Sequence, residues 1–369
     1  MPDERPVPSG LAKFWSSTVQ RFTTLDPPHF EDWEIERHRI FSLLLMAMVH
    51  AKWNGNKFGE TGDYGHWRAN QLLGNANGQN FYAGGSYLGH NIACLAVDAE
   101  GRIMDFDFNH NAVFDSTVEH AESRLVRRLF ALNQIYSPWE ALAGEGSKHA
   151  GARRANRPHQ RRNLFATAVS DRPARPTRAG SDAAGPPTPP TGFATLLKDV
   201  TIYTSLESCA QCSGIMCLAS VKDIVYLQWD QGQFLIGNIL RQATIQQELG
   251  FVAPRPVRGD EFGFEYFTRL NEANDEFSCQ VVTSPFYREG RHDAAPVNTP
   301  SVTSFLCTDG ARSIYDDART ELARRTQARF PDAKPKMANA FTNQEVLTEA
   351  HDFLDWFSEL DNRGTPHRV

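Results

Sequence analysis

The chain has 369 residues, of which 41% are hydrophobic and 22% charged, and its net charge is −6. That composition is ordinary for a globular protein, and the length allows one large domain or two smaller ones with a sizeable core. An acidic total does not draw a polyanion to the surface as a whole.

The charge is uneven. Residues 147–195 hold nine Lys or Arg against two Asp, so the rest of the chain carries the −6 total less that +7, or −13. The polar start, Met1 to Pro6, has no apolar signal region after it, and the most apolar run, Phe41 to Val49, is too short to span a bilayer. The expectation is a cytoplasmic protein with no membrane partner. In that setting the six cysteines do not suggest a disulfide framework, and the close pair Cys209 and Cys212 points to metal or redox chemistry.

In chain order, apolar spacing at Ile35, Ile40, Phe41, Leu44, Leu45 and Met48 predicts a helix over about 30–53. Residues 54–89, rich in Gly, Asn and aromatics, read as surface loops. Asn91 to Val97 reads as a strand, Asp98 to Arg102 as a turn, and Ile103 to Phe108 as a half-buried return strand with polar residues alternating outward. A loop leads into a helix over 121–132. Residues 147–195, dominated by Arg, Ala, Pro and Gly, predict a disordered basic insertion. Val200 to Thr204 reads as a strand running into a helix that ends at Ala219, with another strand at Asp223 to Leu227. Strand, helix and strand in so short a compass imply parallel pairing. Two helices follow in the tail, near 311–330 and 343–360. The chain divides into an N-terminal extension (1–89), a central domain (90–250) interrupted by the insertion, and a C-terminal loop and helical extension (251–369).

Two motifs carry chemistry. His120-Ala-Glu122 starts the helix after the hairpin, and Cys209-Ala-Gln-Cys212 starts the helix after the third strand. A lone His-x-Glu is weak, since His29-Phe-Glu31 repeats it without context. Together, however, the two motifs offer an imidazole, two thiolates and a free carboxylate. Such a set can hold Zn2+ at His120, Cys209 and Cys212 with a water in the open fourth position, and leave Glu122 as the acid/base. Helix N-termini favour thiolates there.

These motifs resemble the cytidine deaminase-like superfamily, in particular the branch of tRNA adenosine, guanine and cytosine deaminases. The resemblance rests on Asp115-Ser-Thr-Val-Glu-His-Ala-Glu122 and Tyr203-Thr-Ser-Leu-Glu-Ser-Cys-Ala-Gln-Cys-Ser-Gly-Ile-Met216, and covers roughly residues 90–240. It implies a three-layer α/β/α fold with a mostly parallel central sheet, here with N- and C-terminal helical additions. It also implies hydrolytic deamination, Zn2+ as cofactor, and a homodimer. Asn111, and then Asn109, occupy places where relatives put a substrate-contacting asparagine. Glu207 would be a structural acceptor, and Cys217 belongs to the core. The segment at Asp115 is one residue longer than usual, and Ser208 replaces the usual proline, serving as a helix N-cap.

Three functions remain open. The first is a deaminase of a small nucleobase, nucleoside, nucleotide or related amino-heterocycle. The second is a tRNA or single-stranded DNA deaminase that uses the Arg-rich insertion. The third is a non-catalytic zinc-binding protein.

Overall fold

The computed structural model describes residues 18–53, 89–111, 116–130, 196–245, 252–283 and 300–359. The readings of residues 54–88 as loops and of 147–195 as a disordered insertion lie outside that set, as does Asp115. Helices are α1 (Asp32–Ala51), α2 (121–130), α3 (Ala210–Leu218), α4 (Ile236–Ile245), α5 (Glu265–Thr283), α6 (Asp309–Arg324) and α7 (Asn343–Glu359). Strands are β1 (Ala93–Val97), β2 (Ile103–Phe108), β3 (Thr201–Thr204), β4 (Asp223–Tyr226) and β5 (Arg255–Arg258).

The sheet runs in the order β2-β1-β3-β4-β5. The expected parallel pairing of β3 with β4 is present, with Thr204 beside Tyr226, and β5 continues it. The sheet as a whole is mixed, which corrects the expectation of a mostly parallel one. β1 pairs antiparallel with β2 and also with β3. The hairpin turn forces the first of these, because strands joined by so short a connection must reverse direction. The Asp98 carboxylate secures that turn by accepting from Arg102 N–H at 2.8 Å.

The alternation of β2 assigns the two faces. Phe106 packs against Phe353, Trp356 and Phe357 of α7, with ring centroids at 5.4, 6.1 and 5.1 Å. Asp105 and Asp107 point the other way, but not to solvent: every residue of β2 is buried. The half-buried reading fails here because α2 covers the polar face. Arg128 pairs with Asp105 and Asp107, and Arg124 Nε reaches Asp107 Oδ1 at 3.1 Å. Buried carboxylates persist only with partners of this kind.

On the α7 side lies α1, the most deeply buried helix. From Ile40 to Val49 its residues are at most 1% exposed. A helix apolar on all sides belongs inside a core. Its start is fixed by Glu34, whose carboxylate accepts Glu31 N–H at 2.9 Å. It packs on α6, α7, β1 and β3, and Phe41 meets Tyr203 at 5.2 Å. Further along, the buried Glu36 carboxylate accepts backbone N–H groups of Arg329 and Phe330 and the Asn343 amide at 3.0 Å. The C-terminal helices are thereby tied to α1. Both predicted tail helices are present, as α6 and α7. α4, β5 and α5 lay in stretches that sequence patterning left without an element. No helix among the described residues is long and apolar enough to cross a membrane.

Two stability predictions follow from this packing. Glu36→Ala removes the acceptor of three hydrogen bonds and should lower unfolding free energy by about 3 kcal/mol in urea titration. Glu349 sits 5% exposed on α7 and accepts Ile103 N–H at 3.0 Å. Burial above all, aided by Asp98, pushes its carboxyl up to about 7 from 4.5. The folded state therefore holds that proton more tightly than the unfolded chain, so stability falls as pH rises from about 4.5 to about 7. Glu349→Gln should remove up to ~3 kcal/mol of that decline, read from chemical denaturation at pH 5 and pH 8.

Candidate metal centre

The centre is built where the ends of β3 and β2 flank the start of β1. β3 finishes at Thr204, and the chain turns through Ser205 to Ser208 before α3. That turn is held from β4's end, with Glu207 N–H donating to the Gln228 carbonyl at 2.8 Å and Asp230 N–H donating to Glu207 Oε2 at 3.2 Å. Glu207 is thus the structural acceptor that was expected. Burial above all, with Asp230 alongside, pushes its carboxyl up to about 7. Ser208 does not cap α3. Cys209 occupies the cap position, and the Ser208 hydroxyl pairs with that of Ser213 at 2.8 Å.

The other half comes from β2. Asn109, 3% exposed, accepts Ala121 N–H on Oδ1 at 2.7 Å and so caps the start of α2 from a distance. His110 N–H donates to the Glu119 carbonyl at 3.0 Å, which folds the 116–119 segment back toward β2. Gln211 then bridges the halves by donating from Nε2 to the Val118 carbonyl at 3.0 Å.

Between them, His120 Nδ1 lies 3.3 Å from Cys209 Sγ and 3.6 Å from Cys212 Sγ, and the three ligand atoms all fall within 4.8 Å of one another. Tetrahedral zinc with ordinary bond lengths sets N···S separations of about 3.6 Å. The residues fit that metal. Of the three, Cys209 is shifted toward its ligating form, and binding would displace the protons on the other two. The Cys209 thiol is pushed down to about 4, first by its hydrogen bond with Cys212 and then by His120. Cys212, holding the shared proton and buried, is pushed well up. The hydrogen bond with Cys209 raises the His120 imidazole.

Glu122 is 4% exposed and sits against this cluster, near enough to Cys212 to push its thiol up. Its Oε1 accepts from Thr204 Oγ1 at 3.0 Å. Burial above all, and the Cys209 thiolate, push its carboxyl up. Asn111 is half-buried beside His90, its Nδ2 3.3 Å from His90 Nε2. Cys217 lies in α3, 8% exposed, and burial raises its thiol. Sequence reading missed Thr204 and Gln211, because a threonine in a strand and a glutamine in a helix are commonplace by pattern.

No family model and no curated protein matches the chain. Among solved structures, one from biochemical and structural studies of A-to-I editing by tRNA:A34 deaminases at the wobble position of transfer RNA matches. The match covers 52% of this chain and 92% of that one, at 12% identity and a TM-score of 0.23. So loose a superposition carries no argument, and the chemistry rests on the cluster itself.

Purified protein should contain about one zinc per chain by atomic emission, as convergence of two thiols and one imidazole predicts. Cys212→Ser should reduce that to near zero.

Proposed function

We propose that this protein is a zinc-dependent hydrolytic deaminase acting on a nucleobase, nucleoside, nucleotide or related amino-heterocycle. The observation that carries the reading is the company Glu122 keeps. A buried carboxylate with a raised pKa lies two residues from an imidazole that converges with two thiols. Three protein ligands leave a tetrahedral metal one open position, as catalytic sites do and structural sites do not.

His120, Cys209 and Cys212 would hold zinc, which when bound supplies a Lewis acid that brings the pKa of a water toward 7. Glu122 takes a proton from the water that attacks the amine-bearing ring carbon and gives it to the ring nitrogen. It then takes the remaining proton from the new hydroxyl and gives it to the departing amine, so that a carbonyl replaces the amine and ammonia leaves. A carboxyl pushed up by burial suits both duties, because it holds a proton more readily than a solvated glutamate does. Asn111 and Asn109 are assigned to the substrate. Since Asn109 commits Oδ1 to Ala121 N–H, its contribution would be the amide Nδ2.

The polynucleotide reading is supported by Arg153, Arg154, Arg157, Arg161 and Arg162, a cationic run in an otherwise acidic chain. It requires turnover of tRNA or single-stranded DNA that weakens steeply with salt.

Zinc-loaded protein offered free bases, nucleosides, nucleotides, tRNA and single-stranded DNA should exchange an amine for oxygen on one class, detected by mass spectrometry. Glu122→Ala should keep its zinc and lose about 10²- to 10⁴-fold in turnover. A variant that stayed fully active would overturn the mechanism, and an inert wild type would overturn the function.

A further inference from the structure

Thr204 is the last residue of β3 and is fully buried. Two registers place it in a row that crosses the sheet, beside Cys94 of β1 and Tyr226 of β4. The pleat turns Tyr203 toward α1, where its hydroxyl meets His38 Nδ1 at 2.9 Å. Thr204 is thereby turned to the opposite face, under the start of α2. There its Oγ1 donates to Glu122 Oε1 at 3.0 Å.

We propose that Thr204 is a positioning residue that holds the Glu122 carboxylate in its reactive orientation. The inference rests on the deaminase reading of this site. A glutamate side chain has three rotatable torsions, and a proton shuttle must keep one oxygen on the water throughout. Thr204 takes Oε1 as its acceptor, which leaves Oε2 for the reacting groups. The anchor is rigid because a β-branched side chain in a central strand has little χ1 freedom. Its backbone is fixed as well: the Thr204 carbonyl accepts Leu227 N–H at 3.1 Å. Packing alone would not need the hydroxyl, since valine has nearly the same shape and suits a strand equally well. A buried hydroxyl aimed at a buried carboxylate beside the metal ligands is the chemical difference between the two residues.

The test compares Thr204→Val with Thr204→Ser in the full-length, zinc-loaded protein. Thr204→Val should lower kcat about 10- to 100-fold, the loss of one hydrogen bond to a charged group, with KM, zinc content and melting temperature near wild type. Thr204→Ser should restore kcat to within a few-fold. A second readout needs no turnover: the Glu122 side-chain carboxyl carbon, assigned in 13C-labelled protein by its absence in Glu122→Gln, should shift in Thr204→Val and return in Thr204→Ser. Wild-type kcat and an unmoved resonance in Thr204→Val overturn the proposal, as does an equal loss in both variants. If the wild type is inert on every substrate, the deaminase reading falls and the resonance decides alone. A shift confined to the valine variant then keeps Thr204 as the holder of Glu122, and no shift removes it.

Discussion

The antiparallel pairing of β1 with β3 is the constraint on which the rest of the molecule depends. It joins Cys94 to Thr204 across the sheet, and with them two stretches of chain far apart in sequence. One stretch continues through β2 to α2, and the other runs from β3 into α3. Once the two strands lie in register, α2 and α3 present their first turns to the same space. His120 and Cys209 then meet without further adjustment. A slip of one residue would turn Thr204 to the α1 side and Tyr203 to the metal side, because side chains alternate along a strand.

Burial enforces that register from both faces. On one, Phe106 and Tyr203 enter the apolar cluster around α1 and α7. On the other, Asp105 and Asp107 meet arginines of α2. The first contribution is non-directional and large, and the second is directional and costly to misalign. An aspartate moved to the apolar face would lose its arginine, and a phenylalanine moved to the polar face would strand two guanidinium groups. The same charges that fix the strand also fix the azimuth of α2, and hence where His120 and Glu122 point.

Much of this was legible in the sequence. The hairpin of β1 and β2, the parallel step from β3 to β4, α1 and the two tail helices all follow from local periodicity. The convergence of His120, Cys209 and Cys212 follows from residue type and spacing. What was not legible has physical reasons. β5, Arg-Pro-Val-Arg, is four residues with a proline and charged ends, and only its place beside β4 makes it a strand. α5 does carry apolar positions at helical spacing, Phe267, Leu270, Phe277 and Val281, but its many acidic and amide side chains masked them. The covered polar face of β2 depends on α2's arginines, which no pattern within the strand announces. Ser208 looked like a cap by residue type, yet its hydroxyl turned to Ser213 and left the cap to Cys209.

The His120–Cys209 contact spans 89 residues of chain. A metal held there is therefore a cross-link as well as a reagent. By the loop-closure argument used for disulfides, a bond closing a loop of that length removes about 4.6 kcal/mol of chain entropy from the unfolded state. Binding energy and folding energy become one quantity. The join between the two halves of the protein is thus tightest when the centre is filled, and a chelator works on the architecture as directly as on the chemistry.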